Sequence, residues 1–242
     1  MARPAAEVEA KIVAFTEAVR AALGEQLVAL VVYGSAAGGD WVDGRSDVNT
    51  AIVVPRVTVD VLERLAPVVA DGRARGFALP VVMDEEYLMH ARDTFPMELD
   101  DIRRQHRVLA GGDPFAALTV EPAALRRECE YEARAKLLRL RALFLETART
   151  PEKLEGLMTG SLKTFLVVLR HFLRLRHDEP AHGYADVLAA GERVLGPLPT
   201  CTRLLRHRTG ERSLAPAALR AEFGAYLGEV ERIVAAVDAL GD

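Results

Sequence analysis

Two apolar runs, Leu27–Tyr33 and Val48–Val54, flank a glycine-rich loop that opens with Gly34-Ser35 and closes with Ser46-Asp47-Val48-Asn49. Glycine at the end of a buried strand lets a ligand approach the backbone, and the serine beside it offers a hydroxyl and an amide to phosphate oxygens. Residues i and i+2 of a strand share a face, so Asp47 and Asn49 project together. Oxygen ligands held on a rigid strand edge suit a hard divalent cation bridging a triphosphate. Ser46, next to the acid, is a further polar candidate for the phosphates. The chemistry these residues point to is phosphate and metal handling.

The surrounding periodicities predict the elements that must position them. Val8, Ile12, Phe15, Val19 and Leu23 fall at helical spacing, and Leu27–Tyr33 is an unbroken apolar strand of the kind buried on both faces. After the second strand, Val48–Val54, the patterns predict a helix over Val59–Val69, a strand over Ala78–Met83 and a short helix over Glu85–Arg92. Pro96 then opens a fourth strand, Met97–Ile102, and Val108–Leu109 is a short edge strand. This order gives an α+β domain, a mixed sheet with flanking helices. Beyond Pro122 only helical stripes remain: Leu125–Ala148, Lys153–Leu175, Asp186–Leu195, Thr200–Arg206 and Pro216–Leu240. We place an all-α helical bundle there, with the boundary inside Pro114–Pro122, giving domains 1–117 and 118–242.

Tyr33-Gly34-Ser35, Gly39, Ser46-Asp47 and the strand Ala51–Val54, preceded by an amphipathic helix and a buried strand, resemble the nucleotidyltransferase superfamily. That superfamily includes polymerase β and the aminoglycoside and minimal nucleotidyltransferases. The resemblance covers about the first half of the chain, and Val108-Leu109-Ala110-Gly111 resembles the strand and turn that end many such domains. It implies a nucleoside triphosphate substrate held at Gly34, Ser35 and Ser46, with Mg²⁺ or Mn²⁺ at Asp47, Asn49 and a third acid. This chain departs from the family pattern at Asn49, where a second carboxylate is expected. An amide oxygen coordinates a cation without neutralising it. The Ser35–Asp47 spacing is also about one residue longer than the family's.

The resemblance places the third acid on a later strand, where it often serves as base for the attacking hydroxyl. Alternation along Met97–Ile102 puts Glu98 and Asp100 on one face; Glu98 is the first choice and Asp100 the second. Three acids in five residues also fit a solvated edge strand. Asp47 and Glu98 are therefore the candidate catalytic residues.

In the helical half, Arg134, Lys136, Arg139 and Arg141 crowd one helix, and Arg203, Arg206 and Arg208 another. A solvated face with buried alkyl stems accounts for most of them. Glu128 and Glu132 share a helix face and suit either a cationic acceptor or ordinary surface pairing. Arg170 and His177 have six residues between them, a spacing similar to the Arg-x(4–6)-His signature of helical-bundle ribonucleases. His90, His106, His171, His182 and His207 show no ligand spacing, and Cys129 and Cys201 are isolated thiols that fit a reducing compartment.

Residues 1–120 carry 12 Lys+Arg and 18 Asp+Glu, net −6, and residues 121–242 carry 19 and 17, net +2. An acidic first half suits cations, and the overall charge of −4 argues against a general nucleic-acid binder. The longest apolar run is far short of a membrane span, and Met1-Ala2-Arg3-Pro4 leads into a charged segment unlike a signal peptide, so a cytoplasmic protein is expected. A homodimer is compatible with the helical half, although no long heptad predicts one. Three readings follow. The first is an enzyme moving a nucleoside monophosphate to a hydroxyl of a small-molecule or protein acceptor. The second is a catalytically degenerate nucleotide-binding or regulatory protein of the same fold. The third makes the bundle the active part through Arg170 and His177.

Overall fold

The computed structural model describes residues 6–38, 41, 46–177, 183–211, 215 and 218–241. The chain divides into two compact units, Met1–Glu121 and Pro122–Asp242. The second thus begins at the proline that opens its first helix, four residues beyond the expected 117/118 division.

In the first unit, helix α1 (Ala6–Leu23) and a 3-10 turn (Gly24–Gln26) lead into β1 (Ala29–Tyr33). The short helix α2 (Ser35–Gly38) follows, then β2 (Asn49–Val54), α3 (Val59–Ala74), β3 (Val81–Asp84) and α4 (Glu85–His90). Helix α5 (Pro96–Arg104) and β4 (His106–Gly111) complete it. The sheet order is β3-β2-β1-β4. β1 is antiparallel to both β2 and β4, while β2 and β3 are parallel, so the sheet is mixed.

β1 reads as a continuous apolar run because it is central and covered on both sides. Leu30, Val32, Ile52 and Val54 lie under Ile12, Phe15 and Val19 of α1 and Val61 and Leu65 of α3. Ala29, Val31, Ala51 and Val53 face Leu88 of α4, Leu99 and Ile102 of α5, and Phe115 and Leu118. Thr58 caps α3 by accepting from the Val61 amide at 3.3 Å. The Asp84 carboxylate accepts from the Tyr87 amide at 2.8 Å and the Val57 amide at 3.1 Å, which ties two loops together at one end of the sheet.

The expected strand over Met97–Ile102 is instead helix α5. Pro96 stands at the start of a helix, where its fixed φ and missing N–H cost nothing. Glu98 lies in the first turn and Arg103 and Arg104 in the last, matching the helix dipole. The pairing of Asp100 with Arg103 and Arg104 also requires helical i+3 and i+4 spacing.

The second unit holds α6 (Pro122–Thr147), α7 (Pro151–Leu175), α8 (Tyr184–Leu195), α9 (Pro199–Arg208) and α10 (Leu219–Asp238). Pro216, taken above as the start of the last helix, lies outside the described residues. α7 is packed by each of the other four. Leu162, Phe165, Leu169 and Phe172 of α7 are buried together with Leu137 and Leu140 of α6 and Val230 and Ile233 of α10. Tyr226 sits edge-on to Phe165, and its hydroxyl meets Ser161 Oγ at 3.0 Å. Buried Glu229 accepts from the Thr200 and Cys201 amides at 2.8 Å each, so a carboxylate from α10 caps the first turn of α9.

Candidate active site

The Gly34 end of β1 gathers most of the residues singled out in the sequence. Register places Tyr33 opposite Asn49, the first residue of β2. Gly34 then turns the chain with φ +69, a conformation that disfavours any side chain. A Cβ there would stand 3.3 Å from Asn49 Nδ2, so the Asn49 carboxamide lies over the glycine. The Gly34 carbonyl accepts from the amides of Ala37 and Gly38 at 3.0 Å each, which closes α2, and its own amide donates to the Gln105 carbonyl at 3.3 Å. Ser35 opens α2 and is half-buried, as is Ser46. Asp47 is exposed, one residue before Val48, which bridges to Phe77. Gly39, Asp40 and Arg45 of the same loop lie outside the described residues.

Glu98 comes to this end of the sheet from the first turn of α5, not from a strand. The Tyr33 hydroxyl donates to Glu98 Oε1 at 3.2 Å. Burial, and then the Glu98 charge beside it, raise the Tyr33 pKa well above the ordinary tyrosine value, so the hydroxyl stays a neutral donor. Tyr33 packs with the core that holds Ala51 and Val53, the strand positions that alternate in phase with Asn49. Glu98 and Asn49 therefore sit over the same face and the same end of the sheet.

Asp100 has a different role. It is 2% exposed and accepts from Arg103 Nη2 at 2.9 Å and from Arg104 Nε at 2.9 and 3.0 Å. Its carboxylate serves an ion-pair triad within α5 in which Arg103 and Arg104 stay partly exposed. β3 supplies no acid at this end. Val48 bridges to Phe77 and Ala51 pairs with Val81, so Asn49 lies beside Ala78 and Leu79, neither of them acidic. The strand's one acid, Asp84, pairs with Val54 at the opposite end and caps α4.

Among the described residues no three His, Cys, Asp or Glu side chains gather as a metal cage. The site offers one exposed carboxylate, one amide and a tethered glutamate. That set suits a magnesium ion that arrives on a triphosphate, whose phosphates and waters supply most of its ligands, rather than a resident metal.

One neighbour, Gln105, escaped the sequence reading, while His106, named there only as lacking ligand spacing, has a structural place. Gln105, almost fully buried, lies against Gly38, where a Cβ would overlap its carboxamide; the small residue at position 38 was the only sign. His106, opposite Tyr33 on β4, bonds through Nδ1 to the Ile102 carbonyl at 2.8 Å and through Nε2 to Asp113 at 3.0 Å. Asp113 also accepts from the Phe115 and Ala116 amides, so His106 staples the turn that follows β4.

In the helical unit most of the basic clusters are engaged. Arg134 pairs with Glu130 and Asp238, Lys136 with Glu132, Arg141 with Glu231, and Arg203 with Glu222. Arg208 donates to the Thr159 carbonyl, while Arg139 and Arg206 are exposed. Arg170 is buried with its guanidinium 5.5 Å from the centre of the Tyr184 ring, whereas His177 is exposed just past the end of α7. His207 meets Glu155 at 2.9 Å, and His182 lies outside the described residues. Both cysteines are buried; loss of solvent pushes the Cys129 thiol up to about 12 and raises that of Cys201 as well, which makes them poor nucleophiles. No helix among the described residues is long and apolar enough to cross a membrane.

A scan of protein-family models and a search of curated proteins each give no match for this chain. Among solved structures, the chain is similar to spectinomycin adenyltransferase AAD(9) from Enterococcus faecialis, solved with ATP and spectinomycin. The TM-score is 0.58 at 14% identity, covering 92% of this chain and 99% of that one. The chain thus shares the fold of a nucleotidyltransferase along nearly its whole length.

Proposed function

We propose that this protein binds a magnesium–nucleoside triphosphate at the Gly34–Ser35 turn and transfers its nucleotidyl group to a hydroxyl of a small-molecule acceptor. The observation that carries this reading is the meeting of Gly34, Asn49 and the Tyr33-tethered Glu98 at one end of the sheet. The similar adenyltransferase, solved with ATP and spectinomycin, suggests the substrate classes.

Each residue has a role in this scheme. Gly34 and Ser35 hold phosphate oxygens, with Ser46 flanking them. Asp47, Asn49 and Glu98 supply the protein's oxygen ligands to the ion. Glu98 accepts the proton of the acceptor hydroxyl as that oxygen attacks the α-phosphorus and pyrophosphate leaves. The rate would come from positioning and from charge neutralisation. The test is pyrophosphate release from each nucleoside triphosphate with magnesium or manganese, across a panel of aminocyclitol and aminoglycoside acceptors. Release that depends on acceptor and is lost in Glu98→Gln supports the proposal; none with any acceptor removes the transfer step.

A second reading, nucleotide binding without transfer, is favoured by Asn49, which leaves Asp47 the one carboxylate in Ser46–Asn49, and by the lack of an acid at Ala78 and Leu79 beside it. Asn49→Asp separates the two. In a non-transferring binder it raises metal-dependent affinity; in an enzyme tuned to the amide it changes little.

A further inference from the structure

Gln105 joins α5 to β4, and its main chain is fully engaged. The amide donates to the Asp101 and Ile102 carbonyls at 3.0 and 3.2 Å, and the carbonyl accepts from the Gly34 amide at 3.3 Å. These bonds fix the residue beside the Gly34 turn and leave its side chain to act. The residue is 7% exposed, and its side chain lies against Gly38, where a Cβ would overlap Nε2. Gly38 is one helical turn from Gly34, whose carbonyl accepts from the Gly38 amide at 3.0 Å. Nε2 is buried and meets no hydrogen-bond acceptor among the described residues. A buried donor without a partner is costly, and an apolar side chain of the same length would fill the space without that cost. The partner that Nε2 lacks must be an acceptor, because an amide nitrogen only donates.

The sheet order suggests which acceptor. Across β2, β1 and β4 the strand ends on this side run from Asn49 to Tyr33 and Gly34 and then to Gln105 and His106. A triphosphate with its α-phosphorus near Asn49 and Glu98, and its middle on the Gly34–Ser35 turn, extends its last phosphate toward the β4 side. From this placement we propose that Gln105 is a further nucleotide-binding residue, whose Nε2 donates to an oxygen of the terminal phosphate; the assignment rests on the nucleotide reading above. With the main chain anchored, the side-chain torsions carry the carboxamide from its buried place to the phosphate. The bond gives the site a preference for triphosphates over diphosphates.

Calorimetric titration of the full chain with the magnesium complexes of ATP, GTP, CTP and UTP, and of the matching diphosphates, tests this in the wild type and in Gln105→Met. The triphosphate that binds the wild type should bind the variant about tenfold or more weakly, because a hydrogen bond to a charged group is lost. The matching diphosphate should hardly change. The variant's Trp41-monitored urea midpoint should equal or exceed that of the wild type, since the side-chain amide holds no partner in the folded protein. Gly38→Ala, whose Cβ pushes the carboxamide aside, should weaken the same triphosphate, and adding Gln105→Met should cost no more. A triphosphate that binds Gln105→Met as tightly as the wild type overturns this assignment alone, as does equal weakening of triphosphate and diphosphate. A lowered urea midpoint in Gln105→Met gives the amide a structural role and overturns it as well. A wild type that binds none of these nucleotides removes the nucleotide reading and the assignment together.

Discussion

Gly34→Ala probes the turn on which the candidate site is built. An alanine at φ +69 costs about 1–2 kcal/mol relative to a right-handed conformation. Its Cβ would also stand 3.3 Å from Asn49 Nδ2, a tight approach that a side-chain amide relieves by shifting a few tenths of an ångström. Against this, alanine narrows the unfolded ensemble, which returns about 0.4–1 kcal/mol. The net expectation is a loss of about 0.5–1 kcal/mol, or a melting point lower by about 2–6 °C for a unit of this size. Trp41 is the chain's only tryptophan and packs against the α1/α3 core of the same unit, so its fluorescence in a urea titration reports this loss directly. Gly160→Ala is the control of opposite sign. Position 160 is a helical, exposed site with no atom near the new Cβ, and the change should stabilise the helical unit by about 0.5–1 kcal/mol, read in far-UV ellipticity. The reasoning is refuted if Gly34→Ala matches or exceeds the wild type while Gly160→Ala behaves as expected.

Glu229→Gln keeps the shape of the buried cap on α9 but removes its charge, and should cost the helical unit about 1–2 kcal/mol with Trp41 unfolding unchanged; an unaltered ellipticity melt would show that the two 2.8 Å bonds do not depend on charge. Asp84 has its pKa held below the ordinary value, chiefly by the Tyr87 amide and then the Val57 amide. A depressed folded pKa adds stability above the unfolded value, about 3.9, that is lost as pH falls through the folded one. The stability gap between wild type and Asp84→Asn should therefore be constant from pH 7 to 5 and shrink below about 4; a gap that grows on acidification contradicts the assignment. Cys129 and Cys201, both buried, should resist iodoacetamide at pH 8 until denaturant is added, and alkylation of the folded protein would count against that burial.

The parts of the fold carried by local pattern were legible. α1, β1, β2, α3 and the long helices each announce themselves by an unbroken apolar run or a 3.6-residue period. α5 was not legible as a helix, because Met97–Ile102 also alternates and Pro96 opens strands as well as helices. What decided it was the reach of Arg103 and Arg104 back to Asp100, a contact that exists only once the helix does. Glu98 was chosen for its place in an assumed strand. It reaches the candidate site through a bond to Tyr33, 65 residues away, which no local pattern encodes.

The central claim, that the Gly34–Asn49 end of the sheet is a magnesium–triphosphate site, is tested most directly by calorimetric titration. Each nucleoside triphosphate would be titrated with and without magnesium into the wild type and Asp47→Ala. The account predicts binding that requires the metal and is lost in Asp47→Ala, while the variant's Trp41-monitored urea midpoint stays unchanged because Asp47 is exposed. Metal-independent binding that survives in Asp47→Ala, or no binding of any nucleotide at millimolar concentration, would contradict it.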